Sequence, residues 1–152
     1  MKVITLSKTF LQGHPRAGEP TGFREAFLGG RKLHTIRANA KGYYKTGDII
    51  SVRQWSGKPY ASKQEVIRDG VEIAVVNIYI SERGVFFWTM SSLIPGKIIA
   101  RNDGLSLPDF LDWFKMKETG GFLGSLIYLT DFRYGKLRKR NGICKSNRKL
   151  KS

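Results

Sequence analysis

The chain is 152 residues long, which fits one domain with one real core. It is 41% hydrophobic with 17 glycines, a balance that favours a turn-rich β fold over a helix bundle. A formal net charge of +15 points to a polyanionic partner, and no apolar run approaches the ~18 residues that a bilayer-spanning helix needs.

The one cysteine, Cys144, permits no internal disulfide and reads as an incidental thiol in a reducing compartment, the cytoplasm. Two histidines, His14 and His34, are too few for a His/Cys metal cluster, so no metal and no cofactor are expected. The apolar run in residues 1–6 is too short for a signal-peptide core. Residues 134–152 hold eight basic side chains and no acid, against 19 basic and 12 acidic side chains in the rest. The expected organisation is a folded unit over 1–134 and a flexible basic tail over 135–152. The tail lacks a strong apolar face, so nucleic acid is favoured over a membrane surface as its partner.

In chain order, residues 3–6 read as a strand, followed by a loop marked by Gly13, Pro15, Gly18 and Pro20. Thr21 is placed to cap a short helix, Phe23–Leu28, which Gly29-Gly30 stops. Residues 33–37 and 48–55 read as strands. An Asp-Gly step at Asp69-Gly70, between the β-favouring runs 64–67 and 71–80, predicts a hairpin. Both alternating sets of the second run are largely apolar, which predicts a central strand. Residues 97–100 are expected to be another strand. Ser106-Leu107-Pro108-Asp109 forms a capping box, after which Leu107, Phe110, Leu111 and Phe114 share one helical face. Gly120-Gly121 leads into a last strand over 122–131. The predicted fold is α+β, built around a closed or nearly closed small β-barrel with short flanking helices.

The segment from Phe23 to Trp55 carries the most information. Gly30, Arg31, Lys32, Thr35, Ile36, Arg37, Gly47 and Asp48 follow a short helix in the order Gly-Arg-Lys turn, Thr-Ile-Arg strand and Gly-Asp turn. With Leu105–Phe114 and Ile127–Phe132 as a closing helix and strand, this resembles the ASCH domain family of the PUA-like group, over about residues 22–132. The resemblance implies a PUA-like barrel and an RNA or modified-nucleoside ligand. Some ASCH-like proteins are amidohydrolases on N4-acetylcytidine. In them a Lys, a Thr three residues later and a downstream Glu form the active centre. The resemblance places those roles on Lys32, Thr35 and Asp103, with Asp in place of Glu as a departure.

Strand geometry constrains these residues independently. Lys32 and Thr35 are an odd number of steps apart, so they converge only if Lys32 lies in the turn before the strand. Arg37 shares a strand face with Thr35 and is suited to hold an anion or a base edge. His34 points to the opposite face and cannot reach the Thr35 hydroxyl, which ranks it below Lys32 as a base. Read alone, Lys32 and Arg37 also fit solvated charges, and Asp103 fits an Asn-Asp-Gly turn. Tyr43, Tyr44, Trp55 and Tyr60 interleave with basic loop residues, as base stacking and phosphate contact require. Arg31, Arg37, Tyr44, Trp55 and Lys58 are the expected ligand contacts.

Two functions stay open: a module that binds RNA or a nucleoside, aided by the basic tail, and a hydrolase. The hydrolase would act on an N4-acylated cytidine, or less readily on the RNA backbone, through Lys32, Thr35 and Asp103. In that case, removing Lys32 or Thr35 is expected to leave the melting temperature nearly unchanged. Nothing in the sequence sets the oligomeric state.

Overall fold

The computed structural model describes residues 1–135. Their elements run β1 (Lys2–Thr5), α1 (Phe23–Leu28), β2 (His34–Arg37), β3 (Ile49–Trp55), β4 (Gln64–Glu72), β5 (Ala74–Ser81), β6 (Gly84–Phe87), β7 (Ser92–Ile94), α2 (Gly96–Asn102), α3 (Leu107–Trp113), α4 (Met116–Thr119) and β8 (Phe122–Tyr128). The fold is α+β. The basic residues beyond Gly135, on which the expected flexible tail falls, lie outside the described residues.

The strands form two sheets, ordered β1-β3-β4 and β2-β8-β5-β6-β7. Strand β5 is central, between β8 and β6, as its doubly apolar pattern predicts. Its Ile78 and Ile80 join Ile36, Phe87, Ile99, Phe110 and Leu126 in the core. Half of the capping box of α3 forms: Ser106 Oγ accepts from the Asp109 N–H at 3.3 Å, while the Asp109 carboxylate pairs with Arg16 and does not reach back to the Ser106 N–H. Thr21 stands one place ahead of the cap of α1, which is Gly22, and its Oγ1 accepts from the Phe23 N–H.

Three expectations need correction. Among the described residues no closed barrel forms. Strands β1 and β2 are outer strands of separate sheets and do not pair with each other, and Arg37 Nη2 donates to the Thr5 carbonyl at 2.6 Å across the gap. The Asp69-Gly70 hairpin is absent, because β4 runs straight through it. Ile50 pairs with Val71 while Val52 pairs with Arg68, so β4 advances three residues against two on β3. Gly70, at φ +73°, absorbs the extra residue as a bulge, a geometry that Asp-Gly serves as well as a hairpin. The chain changes sheets afterwards, at Ile73. Residues 97–100 are helical, within α2. Their β-branched pair resembles a strand, but Ile99 and Ala100 are buried on one helix face behind Pro95, which stands at the N-cap. Strands β6 and β7 and helix α4 were not anticipated.

Candidate functional site

The site begins at the end of α1. Gly30 takes φ +77°, and the Arg31 and Lys32 N–H groups both donate to the Ala26 carbonyl at 2.7 and 2.9 Å. This holds Lys32 in the turn ahead of β2, the one position from which it can converge with Thr35. The Leu33 N–H donates to the Asn102 carbonyl at 2.7 Å, which draws the turn against the end of α2. Asp103 closes that helix, and Gly104 follows at φ +88° with the Lys32 stem beside it. Three separate segments thus bring Lys32, Thr35 and Asp103 to one place.

Lys32 is 1% exposed. Its Nζ donates to the Asp103 backbone carbonyl at 2.7 Å, lies 3.4 Å from Asp103 Oδ1 and sits 4.2 Å from the centre of the Phe23 ring. Burial pulls the lysine below its ordinary pKa; Asp103 opposes that shift and the Arg37 charge reinforces it. His34 Nδ1 lies 2.9 Å from the same Asp103 oxygen, and its Nε2 lies 2.7 Å from the Tyr134 hydroxyl. Asn102 Nδ2 donates to that hydroxyl at 3.0 Å, so the hydroxyl donates to Nε2 and the Nδ1–H donates to Asp103. Burial lowers the His34 pKa, which keeps the ring neutral at pH 7. It also raises that of Tyr134.

Lys32 and Asp103 border a cleft of about 510 Å³, a size suited to a small organic ligand. Lys32, Thr35, Arg37, Trp55 and Asp103 all line it. The Thr35 hydroxyl bonds no described residue and does not bond Lys32 Nζ. One wholly buried side-chain polar atom among the described residues lacks a partner, and it is Arg37 Nε. At the mouth, the loop after β3 is tied down by the Gly57 N–H donating to Ser62 Oγ at 3.0 Å and by Lys8 Nζ donating to the Ser56 carbonyl at 2.9 Å. This loop presents Tyr60, 90% exposed at φ +63°, with its ring centre 5.0 Å from that of Trp55.

The other expected contacts lie apart from the cleft. Arg31 is exposed and borders a second depression together with Arg101. Tyr44 is half-buried, and its hydroxyl donates to the Val3 carbonyl at 2.7 Å. Lys58 is exposed, although its neighbours Gly57, Pro59 and Tyr60 line the cleft. Sequence reasoning missed His34 and Tyr134 as partners of the carboxylate. His34 carried no signal of this role: Lys32 lies in the turn ahead of β2, so strand parity does not relate the two.

Among the described residues no group of His, Cys, Asp and Glu side chains is arranged to hold a metal, and no helix is long and apolar enough to cross a membrane. No family model, no curated protein and no solved structure matches the chain.

Proposed function

We propose that the cleft binds a nucleoside-type ligand and hydrolyses an amide on its base, with an N4-acylated cytidine as the model substrate. The observation that supports this reading best is the burial of Lys32 beside Asp103 on the same cleft as an unengaged Thr35 hydroxyl. Core packing needs no lysine there, and a buried ion pair is weak evidence for stability. A shielded amine with a lowered pKa is the kind of base that acyl transfer uses at neutral pH.

In this mechanism the Thr35 oxygen attacks the amide carbonyl and its proton passes to Lys32, which acts from its deprotonated form. The C–N bond breaks, and the lysine returns the proton to the departing amine. Water then cleaves the acyl-threonine, again with Lys32 as base, releasing a carboxylic acid and restoring the hydroxyl. Asp103, held through Oδ1 by His34 and Lys32, directs Oδ2 to the leaving amine. The Trp55–Tyr60 pair stacks the base.

A binding module without chemistry is the second reading. It is favoured by the hydrogen bond from Lys32 Nζ to the Asp103 carbonyl, which occupies the amine without involving Thr35. Incubation with N4-acetylcytidine and with labelled RNA oligomers separates the two. Release of acetate supports the hydrolase. Retention of intact RNA without acetate release supports the module, and strand cleavage rejects both.

A further inference from the structure

We infer that Arg37 makes the inner cleft an anion site, so that the preferred ligand is a phosphate ester of a nucleoside and not the neutral nucleoside. This rests on the nucleoside reading above and refines it. Four charged side chains line the cleft: Lys8, Lys32, Arg37 and Asp103. Lys32 and Asp103 compensate each other at 3.4 Å. Arg37 has no such partner, since the ion pairs among the described residues lie elsewhere.

The guanidinium is always charged and carries five N–H donors. Among the described residues it uses one of them, from Nη2 to the Thr5 carbonyl, while Nε is buried with nothing to donate to. A partly buried cation with no carboxylate within ion-pair distance is costly, and folded proteins pair such groups. Here the missing partner is an anion delivered by the ligand.

Position indicates which anion. Arg37 is two residues beyond Thr35 on the same strand face, about 7 Å along the chain. That is the scale separating the reacting edge of a base from its sugar phosphate. Lys8 adds a second cation at the mouth, where it is tied to the loop that carries Tyr60. A stackable ring on one side and an arginine fork on the other match a nucleotide. The phosphate has two sources, a mononucleotide or the backbone of an RNA strand.

The test is direct titration of the full chain with cytidine, cytidine 5′-monophosphate and a short cytidine-containing RNA, with acetate release from the N4-acetylated forms measured in parallel. The monophosphate should bind at least about tenfold more tightly than cytidine, the size of a charge-assisted contact. Arg37→Met should remove that preference, bringing the affinity for the monophosphate down to that for cytidine measured in the same variant. Arg37→Lys, which keeps the charge without the fork, should retain part of it. Should Arg37→Met fail to fold, inorganic phosphate competing with the monophosphate but not with cytidine supports the inference on the wild-type chain. RNA binding more tightly than the monophosphate assigns the phosphate to a strand, and equal binding assigns it to a mononucleotide. Equal affinity for cytidine and its monophosphate overturns the anion site, whatever the hydrolase assay shows. A phosphate preference without acetate release keeps the anion site and rejects the hydrolase.

Discussion

His34 Nδ1 donates to Asp103 Oδ1 across 2.9 Å, joining two buried groups 69 residues apart in the chain. Through Nε2 the same ring reaches Tyr134, so one imidazole satisfies polar atoms on the end of α2 and on the C-terminal segment. His34→Phe keeps a ring of similar size and removes both nitrogens. A buried acceptor left without its donor costs about 1–3 kcal/mol. Urea unfolding of this variant should show a lower midpoint with an unchanged slope. An unchanged midpoint would mean that water replaces the ring nitrogens and that the network is not structural.

The same histidine makes stability depend on pH. Its folded pKa is lowered by burial, while the unfolded chain titrates near 6.5. Below about pH 6.5 the unfolded chain therefore binds a proton that the native state refuses. Stability falls as pH drops from there towards the lowered folded value, by at most about 1.4 kcal/mol per pH unit for one proton. Asp48, whose pKa is lowered by its hydrogen bond from Lys2, contributes in the same direction only at more acidic pH, below the ordinary aspartate range. The melting temperature should be lower at pH 5.5 than at pH 7.5. The difference should shrink in His34→Phe; an equal difference there would assign the dependence to other groups.

Tyr60 is fixed in a left-handed backbone conformation and is 90% exposed, an arrangement that core packing does not explain. Tyr60→Ala should leave thermal stability within about 0.5 kcal/mol, as for an exposed site. It should weaken nucleotide binding by about 1–3 kcal/mol if a base stacks on the ring. Calorimetric titration with cytidine 5′-monophosphate reads the second effect, and full affinity in the variant would move the stacking surface elsewhere.

Much of the strand framework was legible because alternation and turn residues report local geometry. The doubly apolar run in β5 marked a central strand, and the Ser106 capping box marked a helix start. The errors arose where one local signal serves two structures. Asp69-Gly70 suits a bulge as well as a hairpin, and only the pairing partner on β3 decides between them. Ile98-Ile99 has strand propensity, but the burial it finds is on a helix face. At the site, parity along the chain placed Lys32 in the turn and Thr35 with Arg37. The same parity, applied to Thr35 alone, set His34 aside. That Asp103 lies where it bonds both Lys32 and His34 depends on α2 docking against the start of β2, a long-range contact with no local signature.

The Gly104 backbone is a separate test of how the site is held. It sits at φ +88°, where a side chain is strained, and an added methyl would lie 3.4 Å from the Phe23 ring and 3.6 Å from the Lys32 stem. Gly104→Ala should cost roughly 1–2 kcal/mol from the left-handed conformation. It should also reduce acetate release by more than the small fraction of unfolded protein accounts for, because the turn carrying Asp103 must shift. Wild-type turnover in a destabilised Gly104→Ala would show that the placement of Asp103 is not limiting.

Lys32 provides the sharpest test, and here burial overturns the expectation of an unchanged melting temperature. At 1% exposure and 3.4 Å from Asp103, the lysine cannot be removed without leaving a buried carboxylate short of its cation. Lys32→Ala should lose about 3–5 kcal/mol, the usual result of breaking one side of a buried pair. Lost activity in that variant alone would therefore prove little. Lys32→Met combined with Asp103→Asn removes both charges and keeps the volume and an oxygen for His34 to donate to. Stability should recover to near that of the wild type, since well-packed neutral groups often replace a buried ion pair without loss. Acetate release from N4-acetylcytidine should nevertheless be abolished, because neither the base nor the group facing the leaving amine is left. Denaturant unfolding and the deacylation assay, run on the same preparation, give both results. A stable double variant that hydrolyses at the wild-type rate would rule this pair out as the catalytic machinery.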